Sequence, residues 1–250
     1  MTTQIQHVVI IVEENRTFGQ IIGSKHAPYI NQLAREGAVF TNSHGVTHPS
    51  QPNYFALFAG AVVKNGDGCP PRGVAKTASN IASEVLSSNR TFIGYAESMP
   101  SVGFTGCWAG TYARKHAPWV YFSNIPSGSS RPFSDLKSYD DLPTVTMIIP
   151  NVENDMHDGS IATGDAWLEK NIAPLLAWGE SHGLLFVLTW DEGFDISNHI
   201  PTIFYGPMVK PGRYRERIND YNVLRTLEDL LDLPPTGKAA SAKAIKDCWR

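Results

Sequence analysis

The sequence predicts a three-layer α/β/α fold with a mostly parallel central sheet, read as a single domain over residues 1–250. Three observations carry this. Short apolar runs alternate with amphipathic stretches, the order expected of βα units. The apolar runs are continuous rather than alternating, as in strands covered by helices on both faces. The 250 residues, 42% apolar and 10% aromatic, supply ample surface for such a core, and neither a repeat nor an interdomain linker interrupts them.

His7–Val12 is the first strand, short and β-branched. Pro28–Glu36 reads as a helix stopped by Gly37 in the left-handed cap conformation, and Ala38–Thr41 as a short strand. A helix runs from Ser50 to Ala59, with Pro52 in its tolerant first turn and Gly60 as its stop. After an irregular Gly/Pro-rich stretch, Ser79–Ser88 is helical with Ser79 or Asn80 as cap, and Thr91–Tyr95 is a strand. Residues 97 to 142 form an excursion too long for a connection, of the kind that carries function. Pro143–Pro150 is a strand, Gly164–His182 a long amphipathic helix, and Gly183–Trp190 the most hydrophobic strand. Pro201–Tyr205 is a short strand and Asn219–Leu231 the last helix.

Charge excludes some function classes. The balance of 21 basic against 24 acidic side chains leaves −3, without the basic excess of a nucleic-acid-binding surface. No apolar run reaches membrane-spanning length. Met1–Gln6 carries no positive charge, which reads as a cytoplasmic start; a removed leader would instead make the protein periplasmic or secreted. Cys69, Cys107 and Cys248 lack zinc spacing. They read as free buried thiols, with a Cys69–Cys107 bridge as the alternative in an oxidising compartment.

In parallel folds ligands bind beyond the carboxyl ends of the strands. Polar residues gather there in four segments: Glu13-Glu14-Asn15, the loop with His44, His48 and Ser50, the stretch Asn151 to Asp158, and Asp191-Glu192 with His199 beyond. Singly, each reads as a turn, a cap or a solvated imidazole. Their coincidence points to a metal-assisted site. Glu14, Asn15, Asp191 and Glu192 supply hard oxygen ligands for a divalent cation, with Ca, Mg, Mn and Zn not distinguished. His157 and His199 complete the set or hold a second, softer metal. Ser50, opening a helix, lies where the helix N-terminus favours an anion, and an adjacent metal would turn its hydroxyl into a nucleophile.

At these residues the chain resembles a known family. Val8-Val9-Ile10-Ile11-Val12-Glu13-Glu14-Asn15-Arg16-Thr17-Phe18 is similar to the opening strand and Glu-Asn-Arg motif of the phosphoesterase family, which joins bacterial acid phosphatases and phospholipases C within the alkaline phosphatase superfamily. His48-Pro49-Ser50-Gln51-Pro52-Asn53-Tyr54 resembles its nucleophile segment, and Lys115-His116-Ala117-Pro118 its Lys-His-x-Pro motif. Asn154-Asp155-Met156-His157-Asp158-Gly159 and Thr189-Trp190-Asp191-Glu192-Gly193 resemble its later metal-site motifs. The likeness runs from His7 to about Leu233, with the pieces in the family's order.

The resemblance implies an alkaline phosphatase-like fold, with Glu14, Asn15, Asp191 and Glu192 on metal and Ser50 as nucleophile. His116 and Lys115 would contact phosphate or the leaving group, with a loop-anchoring pair as the plainer alternative. The chain lacks the insertions and carboxy-terminal domain of the phospholipase members. A small, soluble phosphomonoester is therefore the expected substrate, handled through a phosphoserine. A phosphodiesterase or phospholipase C on the same site, and a non-catalytic metal- or anion-binding protein, are the alternatives. The oligomeric state is left open.

Overall fold

The computed structural model describes residues 5–250. The reading of the amino terminus as a cytoplasmic start rests largely on residues 1–4, which lie outside the described residues. The strands in chain order are β1 (His7–Glu13), β2 (Ala38–Phe40), β3 (Ser43–His44), β4 (Phe92–Ala96), β5 (Trp108–Ala109), β6 (Tyr112–Ala113) and β7 (Ser130–Pro132). They continue with β8 (Val145–Ile149), β9 (Leu184–Trp190), β10 (His199–Ile200), β11 (Thr202–Tyr205), β12 (Gly212–Tyr214) and β13 (Ile218–Asn219). The helices are α1 (Phe18–Ile21), α2 (Pro28–Glu36), α3 (Ser50–Ala59), α4 (Ile81–Ser87), α5 (Ile161–Gly179) and α6 (Asp220–Leu230).

Eight strands form one sheet in the order β12-β2-β11-β9-β1-β8-β4-β7. Successive β1 side chains point to opposite faces. Val8, Ile10 and Val12 pack into a core with Tyr54, Phe58 and Leu224 of α3 and α6. Val9 and Ile11 pack into a second core with Ile30, Leu33, Leu168 and Ile172 of α2 and α5. Helices thus cover both faces, giving the three layers expected. Parallel register aligns Glu13 with Trp190 and Ile11 with Ile148, so the chain leaves β1, β9 and β8 at one rim.

The sheet departs from all-parallel at β11, which runs antiparallel to both β9 and β2. The reason is the link from β9 to β11, which contains no helix to carry a parallel crossover. Two local expectations also shift. Gly37 ends α2 at φ −112°, outside the left-handed region; its missing side chain instead makes room for the Phe204 carbonyl. Helix α5 starts earlier than its apolar pattern suggests because Ser160 caps it, its side chain accepting from the Thr163 N–H at 3.1 Å.

The long excursion folds into the β5–β6 hairpin, several short 3₁₀ turns and the sheet-edge strand β7. Cys69 and Cys107 are joined in a disulfide, which corrects the reading of free thiols at these two positions; Cys248 is free and buried. Among the described residues, no helix is long and apolar enough to cross a membrane.

Buried acids make stability depend on pH, and Glu228 is one of them. Glu228 of α6 is fully buried, its Oε1 accepting from the Thr236 N–H at 2.8 Å and hydroxyl at 2.6 Å, while Oε2 has no partner among the described residues. Burial outweighs these hydrogen bonds and raises its pKa from 4.5 to about 7. The fold therefore keeps a proton that the unfolded chain has released, so stability falls as pH rises from about 4.5 to about 7 and levels beyond. The loss should total about 3 kcal/mol. Denaturant titrations across this range should show the slope, to which the buried Glu13, Asp191 and Asp220 carboxyls, also pushed up by burial, add. Glu228→Gln should make it shallower by the Glu228 share, and an unchanged slope in that variant would assign it wholly to the others.

Candidate active site

The rim is set first by the end of β1. Glu14 is buried, and Asn15 adopts φ 57°, a left-handed conformation that asparagine tolerates. The turn sends the Asn15 N–H to Asp191 Oδ1 at 3.1 Å, and its side-chain amide to Glu14 Oε2 at 3.1 Å. The ends of β1 and β9 are thereby tied together, and three carboxylates converge.

Ser50 faces them from the first residue of α3. Its Oγ lies 3.1 Å from Glu14 Oε2 and 3.0 Å from Glu192 Oε1, so its one proton has two carboxylate acceptors. The loop before it is clamped by Asn53, which accepts from the Val46 and Thr47 N–H groups and donates to the Thr47 and Pro49 carbonyls. Asn198 adds a second clamp, accepting from the Gly193 N–H and donating to the Thr47 carbonyl. His48 Nδ1 contacts Glu192 Oε2. The amino end of α3 is less open to an anion than expected: the Gln51 N–H donates to Asp67 Oδ1 at 2.9 Å, and Pro52 has no N–H to offer.

Lys115 and His116 arrive from the long excursion. His116 is buried between carboxylates, Nε2 2.9 Å from Glu14 Oε1 and Nδ1 3.0 Å from Asp155 Oδ2. The Glu14 contact has the distance but not the direction of a hydrogen bond, leaving Nε2 without an aligned partner. Tyr54 stacks on the imidazole at 5.1 Å and donates its hydroxyl to Glu14 Oε1 at 2.7 Å. Lys115 Nζ pairs with Asp67 Oδ2 at 2.8 Å and lies 3.2 Å from His157 Nε2. Asp155 Oδ1 accepts from the His157 N–H at 2.8 Å, and between the two Met156 holds φ 74°, an outlier for a bulky residue.

Charge is unevenly compensated. Burial opposes ionisation of Glu14, but the charge of His116 at ion-pair distance, with that of Lys115, holds its carboxyl down to about 2. Burial likewise opposes the His116 charge, yet Glu14 and Asp155 raise its pKa to about 9. Asp191 has no such partner. Burial, then the charges of Glu14 and Glu192, push its pKa well up, and its buried Oδ2 has no hydrogen-bond partner among the described residues. A bare, buried carboxylate oxygen among three acids is what a hard cation would satisfy, so the oxygen set fits the metal expected of it.

A second group of possible metal ligands, Glu14, His116 and His157, offers donor atoms within 4.8 Å of one another. Its fit is poorer. Lys115 approaches His157 Nε2, His157 Nδ1 pairs with Asp158 Oδ1 at 2.7 Å, and His116 would have to give up its proton.

Glu14, Asn15, Ser50, Asp191 and Glu192 thus form one cluster, with Lys115, His116 and His157 beside it. His199 does not join: its ring stacks on Phe18 at 4.7 Å and His44 at 5.3 Å, and Nε2 lies 3.1 Å from the Thr41 carbonyl oxygen. The β9–β11 turn carries it onto a short sheet of β10, β3 and β13, away from the ligand group. Sequence reasoning missed the support given by Tyr54, Asp67, Asp155 and Asn198. Tyr54 and Asp155 lie inside quoted motifs and were within reach; Asp67 and Asn198 carry no local signal.

The chain is similar to known proteins over most of its length. The model of the Phosphoesterase family matches residues 24–234. A phosphatidylinositol-3-phosphatase of Mycobacterium tuberculosis is 52% identical over 250 residues, covering 97% of this chain and 82% of that protein. A probable acid phosphatase of Kluyveromyces lactis is 29% identical over 92% of this chain, which spans 59% of its length. A solved structure from Vibrio parahaemolyticus, described as a protein in the alkaline phosphatase superfamily, superimposes with a TM-score of 0.69 at 13% identity, over 97% of this chain and 70% of that one. The chain belongs to the Phosphoesterase family and is a phosphoric ester hydrolase on the alkaline phosphatase fold.

Proposed function

We propose that the chain works as a single phosphoesterase domain, hydrolysing phosphomonoesters through a phosphoserine at Ser50 with one divalent cation. The observation that carries this is Ser50 Oγ, at the start of a helix and within 3.1 Å of two buried carboxylates. Glu14, Asn15, Asp191 and Glu192 would hold the cation, which when bound supplies Lewis acidity toward the Ser50 hydroxyl and the phosphoryl oxygens.

The chain's own groups do the rest. Glu192, which accepts from the Ser50 hydroxyl, takes its proton as Oγ attacks phosphorus in line; the bond from phosphorus to the alcohol oxygen breaks, and that oxygen takes up a proton from solvent. Lys115, anchored by Asp67, meets phosphoryl charge. His116 faces two carboxylates rather than a leaving group, so its part is to position Glu14, not to donate a proton to the departing alcohol. Water then cleaves the phosphoserine from the side the alcohol has left.

The 52% identical relative named a phosphatidylinositol-3-phosphatase favours an inositol phosphate headgroup over the simpler soluble esters expected from chain length. A phosphodiesterase would cleave bis(p-nitrophenyl) phosphate at least as well as p-nitrophenyl phosphate; the monoester is expected to win, and the opposite order would overturn this reading. The Cys69–Cys107 bridge supports an oxidising working compartment, periplasmic or extracellular, over the cytoplasm.

Metal analysis should find one cation per chain. Chelation should abolish turnover, and His157→Ala should leave the metal content unchanged. Two cations per chain, with one lost in His157→Ala, would show that the Glu14–His116–His157 position is real.

A further inference from the structure

A cavity of about 370 Å³ opens beside the Ser50 site and lies outside the machinery described so far. Thr47, His48 and Pro49, the residues leading into Ser50, form one wall; Lys64, Tyr221 and Lys238 stand on the others. His48 is shared, since its Nδ1 contacts Glu192, an acceptor for the Ser50 hydroxyl. The cavity has two lysines on its walls and no carboxylate.

Both lysines are fixed at the backbone. The Lys64 N–H donates to the Arg72 carbonyl at 2.8 Å, within a loop also held by Asn65 and by the disulfide at Cys69. The Lys238 N–H donates at 2.7 Å to the carbonyl of Gly60, the residue that ends the Ser50 helix. Among the described residues, neither ammonium has a carboxylate within salt-bridge distance; Lys238 Nζ lies 5.6 Å from the centre of the Tyr221 ring. The Tyr221 hydroxyl is buried without a hydrogen-bond partner. Two lysines without a carboxylate partner, on the walls of a cavity that has no acids, are suited to meet an anion beside the Ser50 site.

We infer that this cavity binds a second anionic group of the substrate. The preferred esters are then phosphomonoesters whose alcohol carries a further phosphate, either a second monoester or the phosphodiester of a lipid headgroup. Lys64 and Lys238 hold that group while Ser50 receives the reacting phosphate. The inference rests on the phosphatase reading of the Ser50 site.

Calorimetric titration of Ser50→Ala protein, in which turnover is blocked, separates the two claims. Inositol bisphosphate should bind at least tenfold more tightly than inositol monophosphate, and added salt should narrow the gap. Adding Lys64→Gln and Lys238→Gln should bring the two affinities together, with the thermal midpoint checked to confirm that these exposed positions leave the fold intact. Equal affinities before those changes, or a preference that survives them, would overturn the inference. Failure of the phosphatase reading would appear separately, as wild-type protein that binds the bisphosphate selectively yet hydrolyses neither ester. Wild-type kcat/KM on the soluble pair and on phosphatidylinositol monophosphate in phosphatidylcholine vesicles then assigns the source. A preference for the soluble bisphosphate points to a free metabolite, and one confined to vesicles to the lipid diester.

Discussion

Ser50→Ala is expected to lower kcat for a phosphomonoester by on the order of 10⁴-fold or more, because it removes the atom that attacks phosphorus. The fold should survive. Glu14 Oε2 keeps the Asn15 amide and Glu192 Oε2 keeps His48, so neither carboxylate loses its last neighbour. The stability cost should stay near about 1 kcal/mol, the net worth of one hydrogen bond. Cation content should be largely retained, since the oxygen ligands remain. Steady-state kinetics, metal analysis and a thermal melt read all three. Turnover within tenfold of wild type would mean that water, not serine, attacks.

The second large effect is expected at Asp191. Its Oδ2 is buried without a partner while Glu14 and Glu192 crowd it, so the cation-free site is frustrated and the cation relieves it. Asp191→Asn removes one of the crowded charges. Cation affinity should fall at least tenfold and activity with it, while the cation-free protein should become more stable, not less. Melts with and without chelator reveal the crossing: the gap between the two curves is wide in wild type and nearly closes in the variant. A variant retaining full metal occupancy and turnover would return Asp191 to the role of a turn residue that receives the Asn15 N–H.

Much of this was legible because local chemistry agreed with the fold. β1 and β9 are continuous β-branched and aliphatic runs, and the helix from Ser50 to Ala59 has its stop at Gly60, found at φ 61°. Parallel register then does what no local signal can: it brings residues 14 and 191 to one rim. Tertiary partnerships were not legible. Asp67 caps the Ser50 helix and anchors Lys115 from an irregular loop whose composition says only that it turns. His199 follows Asp191-Glu192 closely in sequence, yet the turn into antiparallel β11 directs it onto Phe18 and His44. The motif around His116 implies contact with phosphate or the leaving group, or a loop anchor, but its burial between Glu14 and Asp155 depends on where a long excursion returns.

The stereochemical course at phosphorus tests the covalent route through Ser50 most directly. Transfer from an isotopically chiral phosphomonoester to an acceptor alcohol should proceed with retention, because attack by Ser50 and attack on the phosphoserine each invert the centre. Inversion would show a single displacement, and Ser50 would then be only a ligand or a helix cap even if Ser50→Ala were inactive.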